Sequence, residues 1–155
     1  MKEFYYDINS NTDLYRVTLP EKIVGTNIIS NHYNMVTPLF EKDMKTVIGV
    51  LQATIDDQQH KDFRYSTINY YIRELPGVDL NDLPKDINEN RSKQNSIFMN
   101  ANRIIPLNSD NSGILPSNIL IRGVIYGGIG IYSNIKGDFT LETLDNIRKI
   151  TILYN

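Results

Sequence analysis

The sequence contains no cysteine and no tryptophan, and it has only two histidines among its 155 residues. Without thiols, disulfide bonds, cysteine nucleophiles and cysteine-ligated metal sites are excluded. The formal net charge is −2, so we expect no basic surface for nucleic acid or for an anionic membrane. Apolar runs stay well below the roughly 18 residues that span a membrane. Neither nucleic acid nor a membrane is therefore an expected partner.

The first residues also lack the basic stretch and apolar run of a secretory signal. This pattern predicts a soluble, cytoplasmic protein. Isoleucine and asparagine are abundant, which is typical of an AT-rich genome, such as that of a large DNA virus, a low-GC bacterium or a protist. In the viral case the expected location is the virion.

The residues that are present favour β-structure. Ten tyrosines and many isoleucines and valines suit half-buried pleated surfaces. Alternating or continuous apolar segments predict the following strands: Phe4–Asn9, Leu14–Leu19, Ile23–Ser30, Thr46–Ile55, Phe63–Ile72, Ser96–Ile105, Ile119–Tyr126, Ile131–Leu144 and Ile147–Tyr154. Turns or loops are expected at Asn31–Asn34, Thr37–Lys45 and Asp56–Asp62. With no amphipathic helix, the pattern predicts an all-β barrel or sandwich.

Three glycines, Gly127, Gly128 and Gly130, interrupt the apolar segment near the C-terminus. Glycines in a strand mark bends, bulges or close backbone approach. A phosphate-binding loop is the competing interpretation, but such a loop opens a helix, and the residues after Gly130 continue as strand. The segment therefore predicts the corner that closes a barrel, with Gly128→Val impairing folding or assembly.

Residues 74–95 differ from the rest, because they combine Pro76, Gly77 and Pro84 with charges of both signs and few apolar residues. A loop of this length is uncommon in a compact domain. We interpret it as a surface insertion in a single domain covering residues 1–155.

Three motifs resemble one superfamily in their order and spacing. Ile48–Ala53 approximates a V-G-x-A-Q-G strand, Gly127–Tyr132 approximates a G-G-T-G-x-F segment, and Phe4–Asn9 is similar to an F-Y-x-H-D-I or Y-E-I-N start. Together they resemble the allene oxide cyclase and dirigent protein superfamily. The resemblance implies an eight-stranded antiparallel β-barrel with a central cavity, commonly a homotrimer packed through outer barrel surfaces.

The resemblance also implies candidate site residues. Polar cavity positions of the cyclases fall on Asp7, Asn9 and, within one residue, Asn31. Alternation places Asp7 and Asn9 on one face of the first strand, which is able to point inward. The competing interpretation is an interior polar pair satisfied by neighbouring tyrosines and arginines. A Ser-Pro pair expected after Asn9 is absent, and a cavity cysteine position falls near Ile55.

Two functional hypotheses follow. The first is a non-catalytic, homo-oligomeric structural or interaction module, expected to be a trimer and, in a viral genome, a virion component. The second is a cyclase-like isomerase or dirigent-like protein that confines a lipophilic or phenolic intermediate, with Asp7, Asn9 and Asn31 orienting it. No cofactor is expected. His60 lies in the acidic run Asp56–Asp62, which we interpret as a solvated turn rather than a metal site.

Overall fold

The computed structural model describes residues 1–9, 12–23, 28–59, 63–75, 77–82, 95–106 and 120–155. These residues form nine strands, one 3₁₀ turn at Gly130–Tyr132 and no α-helix. The strands are β1 (Lys2–Asp7), β2 (Tyr15–Ile23), β3 (Ile28–Phe40), β4 (Val47–Gln59), β5 (Phe63–Glu74), β6 (Asn95–Pro106), β7 (Ile121–Ile129), β8 (Gly137–Leu144) and β9 (Ile147–Tyr154).

Every pairing is antiparallel, and the sheet closes on itself. From β3 to β9 each strand pairs with the next, β9 pairs with β1, and β1 pairs with β3 at Tyr5 and Phe40. The remaining strand, β2, lies outside this ring on the edge of β3, from Tyr15 opposite Val36 to Ile23 opposite Ile28. The expected all-β, eight-stranded antiparallel barrel is therefore confirmed, with one additional strand.

Four predictions for the first half of the chain were wrong. The turn at Asn31–Asn34 and the first part of the loop at Thr37–Lys45 lie within β3, and Asp56–Gln59 continues β4. Polar residues suggested turns there, but β3 pairs with strands on both edges, and this tertiary pairing overrides local propensity. The strand predicted to end at Leu19 continues through Pro20 to Ile23, because an edge strand tolerates the missing N–H group of proline.

The glycine segment bends later than expected. Strand β7 continues through Gly127 and Gly128, and the chain turns at Gly130, where φ is 71° and no Cβ opposes a left-handed backbone. The pairing of β6 and β7 shifts register between Phe98 and Met99, which marks a bulge. The predicted strand Ile131–Leu144 accordingly begins only at Gly137.

The barrel lumen is packed with apolar side chains. Alternate residues of all eight barrel strands form one buried cluster, which includes Phe4, Leu51, Tyr70, Phe139 and Ile150. Gly123 illustrates how tightly the lumen is filled, because a Cβ at this position would lie 2.3 Å from the Phe139 ring. Aromatic and branched side chains therefore occupy the interior of the described barrel.

A smaller cluster lies apart from the lumen. Leu75 and Val78, at the start of the predicted 74–95 insertion, pack with Phe40, Val47 and Val50. The insertion therefore begins by covering part of the barrel wall, and residues 77–82 contain no strand. Residues 83–94 lie outside the described part of the chain.

Candidate functional site

The structure places Asp7 and Asn9 away from the lumen. Phe4 and Tyr6 belong to the lumen cluster, so strand alternation puts Asp7 on the opposite face of β1. Asn9 follows the strand and is exposed, and its backbone N–H donates to Asp7 Oδ1 at 2.8 Å. The expectation that this pair points inward is therefore wrong, because Phe4 and Tyr6 take the interior positions. The contact between Asp7 and Asn9 is a local turn.

Asn31, the third predicted residue, lies in β3 rather than in a turn. Its backbone is in register with Pro20 of β2 and Asp57 of β4. Asp7 is in register with Ile147 of β9. Within the described residues, β1 pairs with β3 at Tyr5 and Phe40, at the other end of β3, so this pairing does not bring Asn31 beside Asp7. A catalytic role for the three residues stays a prediction.

One end of the barrel, here called the lysine end, carries a polar triad formed by Lys2, Glu74 and Tyr132. The Lys2 ammonium donates to Glu74 Oε1 and to the Tyr132 hydroxyl. The Tyr132 hydroxyl donates to the same carboxylate oxygen at 2.6 Å. These bonds connect β1, the end of β5 and the 3₁₀ turn after β7. The triad therefore joins three elements that are distant in sequence.

The electrostatics of the lysine end favour a structural role. Burial and the hydrogen bond to Glu74 raise the pKa of Tyr132 to about 12. Burial alone would lower the pKa of Lys2, but hydrogen bonds to Glu74 and Tyr132 outweigh it and raise the value overall. Near neutral pH the phenol is therefore neutral and the amine charged, so neither is prepared to act as a base. An adjacent cavity of about 460 Å³ contains charges of both signs, including Glu41 and Lys42.

The opposite end, here called the arginine end, carries Tyr6, Tyr70 and Arg148. Tyr6 of β1 is in register with Arg148 of β9, two positions before Ile150 of the lumen cluster. A cavity of about 120 Å³ lies here and is lined in part by Tyr6 and Arg148. None of these three residues was predicted from the sequence to be a site residue. The alternation of side chains along the last strand could have revealed Arg148, because it lies on the same face as Ile150 and Ile152.

The part of the chain that the structure describes contains no group of three His, Cys, Asp or Glu residues that could hold a metal ion. The His32 imidazole Nδ1 contacts Asp56 Oδ1 on neighbouring strands, without a third ligand of these types. His60 lies outside the described residues. Among those residues, no helix is long and apolar enough to cross a membrane.

No protein-family model, curated protein or solved structure matched the chain. The resemblance to the allene oxide cyclase and dirigent superfamily therefore stays a prediction.

Proposed function

We propose that this protein is a non-catalytic β-barrel module that assembles with copies of itself through the outer face of β7. The packed lumen supports the first half of this proposal, because apolar side chains occupy the space that a substrate would need. The second half rests on the outer surface.

The outer face of β7 is apolar and exposed. Val124, Tyr126 and Ile129 are 51%, 49% and 54% exposed. The ring of Tyr126 lies 6.1 Å from that of Phe98, which lies 5.5 Å from Tyr71, so three neighbouring strands contribute aromatic rings. We call these five residues the β7 apolar surface. Exposed apolar and aromatic groups in one patch are typical of protein interfaces.

Charges beside the β7 apolar surface favour a second copy of the same chain as the partner. Val124 is in register with Asp138 of β8, and Arg122 on the same face is in register with Thr140. Arg122 and Asp138 are both exposed. A symmetric contact brings the basic residue of one copy to the acidic residue of the other, so the surface is self-complementary. This is the observation that carries the proposal.

Substituting Val124 tests the assembly. We expect Val124→Lys to shift the protein toward monomer, because it places a charge at the centre of the apolar surface. Lysine beside Asp138 gains an opposite charge in the monomer, so folding is preserved. Leu144→Lys is the matched control, since Leu144 is 48% exposed but lies on β8 near the β8–β9 turn. Light scattering after size exclusion measures the mass, and equal effects of the two variants would contradict the proposed surface.

The cyclase-like hypothesis needs an open apolar cavity with Asp7 and Asn9 inside it. The described lumen is packed, and the two residues form an outward-facing turn. We therefore propose no second function. Incubating the protein with an unstable allylic epoxide tests this choice, because a non-catalytic barrel yields racemic product and an enantiomerically enriched product would contradict it.

A further inference from the structure

The arginine end contains buried polar groups without partners. The Tyr6 hydroxyl and Arg148 Nε are buried, and neither atom has a hydrogen-bond partner of good geometry among the described residues. The two side chains are nevertheless close enough to interact with each other. Tyr6 is only 2% exposed and yet lines the cavity of about 120 Å³. Buried donors are nearly always satisfied, so an orphaned hydroxyl at a cavity wall indicates a missing bonding partner.

The environment of these groups is cationic. Arg148 and Arg16 both line the cavity, and no described carboxylate lies among the lining residues. Arg16 already pairs with Asp13, whereas Arg148 forms no ion pair with a described carboxylate. The Tyr70 hydroxyl also has no hydrogen-bond partner of good geometry, and it lies close enough to Tyr6 and Arg148 to interact with both. A cavity with donors and positive charge selects an anion.

The rest of the cavity wall is apolar. Ile8, Met35 and Ile55 contribute side chains opposite the polar groups. A volume of about 120 Å³ corresponds to roughly four water molecules at ~30 Å³ each. The space therefore suits a short molecule with one anionic end and a small aliphatic end.

We propose that this cavity binds a short-chain organic carboxylate. The Arg148 guanidinium pairs with the carboxylate, and the Tyr6 O–H donates a second hydrogen bond to it. The aliphatic end contacts Ile8, Met35 and Ile55. Such a ligand satisfies the buried donors, balances the unpaired charge and covers the apolar wall, which water alone does only in part. This site lies at one end of the lumen and does not depend on the β7 apolar surface.

Butyrate is the probe that tests the site. Titration followed by protein NMR is expected to show saturable shifts localised to residues around Tyr6 and Arg148. Butyramide, which has nearly the same shape without the charge, is expected to bind at least tenfold more weakly. If butyrate causes no saturable shift, the cavity holds only water and the proposal is overturned. Tighter binding of decanoate than of butyrate would overturn the short-chain assignment.

Two conservative variants separate binding from folding. Tyr6→Phe removes only the unpartnered hydroxyl, so the fold is kept and butyrate binding is expected to weaken about fivefold. Thr37→Val is the matched control: it also removes a buried, unpartnered hydroxyl, but Thr37 does not line the cavity. Butyrate affinity is expected to change less than twofold in this control. Equal affinity of wild-type and Tyr6→Phe protein would contradict the assigned contact.

Discussion

At the scale of single residues, adjacent glycines in β7 have very different surroundings. A Cβ at Gly128 would lie 2.6 Å from the carbonyl oxygens of Ser96 and Tyr132. A Cβ at Gly127 would meet only the Phe98 ring, at 3.7 Å. The first position therefore requires glycine for close backbone packing, and the second does not.

This contrast predicts the effects of substitution. We expect Gly128→Ala to lower the free energy of unfolding by about 1–3 kcal/mol, with Gly128→Val more severe, because backbone atoms must move to admit the side chain. Gly127→Ala is the control and should leave stability nearly unchanged. Chemical denaturation of the three variants measures the differences. Comparable stability of Gly128→Val and wild type would contradict the packing described here.

Residue-level prediction from sequence succeeded for packing and failed for orientation. A glycine-rich strand signalled close approach, and Gly128 has it. The first strand was assigned the wrong inward face, because both faces of Phe4–Asn9 begin with aromatic residues and the interior choice depends on the rest of the barrel. The same dependence concealed Arg148, whose buried surroundings come from β1 and β5.

At the scale of elements, the lysine end is a connection between β1, β5 and the 3₁₀ turn. Because the pKa of Tyr132 is raised, the stability that this connection gives to the fold depends on pH. A phenol whose folded-state pKa exceeds its unfolded value of about 10 stabilises the fold fully below pH 10. That contribution is lost as the pH rises toward the folded value of about 12.

Alkaline unfolding tests this coupling. We expect the wild-type melting temperature to fall between about pH 10 and pH 12, and the fall to be shallower in Tyr132→Phe, which has no phenol to ionise. Tyr154→Phe, which alters the neighbouring ring 5.9 Å away, serves as the control and should retain the wild-type slope. Parallel pH profiles for wild type and Tyr132→Phe would count against the assigned role of the triad.

Element prediction worked where local signals agreed with the tertiary structure. The last strand was predicted with its observed bounds, Ile147–Tyr154, because apolar alternation follows the two-residue turn at Asp145 and Asn146. Strand β3 was missed in part, because its polar residues are typical of turns. Pairing with β2 on one edge and β4 on the other keeps them in a strand. The additional strand β2 was anticipated only as the short segment Leu14–Leu19.

At the scale of the whole molecule, composition and periodicity were sufficient for the all-β class, and the resemblance added the eight-stranded barrel. The closure through Tyr5 and Phe40 and the position of β2 on the outside depend on long-range pairing that no single segment encodes. For assembly, the proposed contact surface includes the exposed Val124, Tyr126 and Ile129 of β7.

The mass of the wild-type protein in solution tests the central claim most directly. A chain of 17.8 kDa that assembles through the self-complementary β7 apolar surface gives a dimer of about twice that mass by light scattering. The trimer implied by the superfamily resemblance needs a head-to-tail contact instead. A single species of 17.8 kDa that persists at high protein concentration would contradict the proposed self-association.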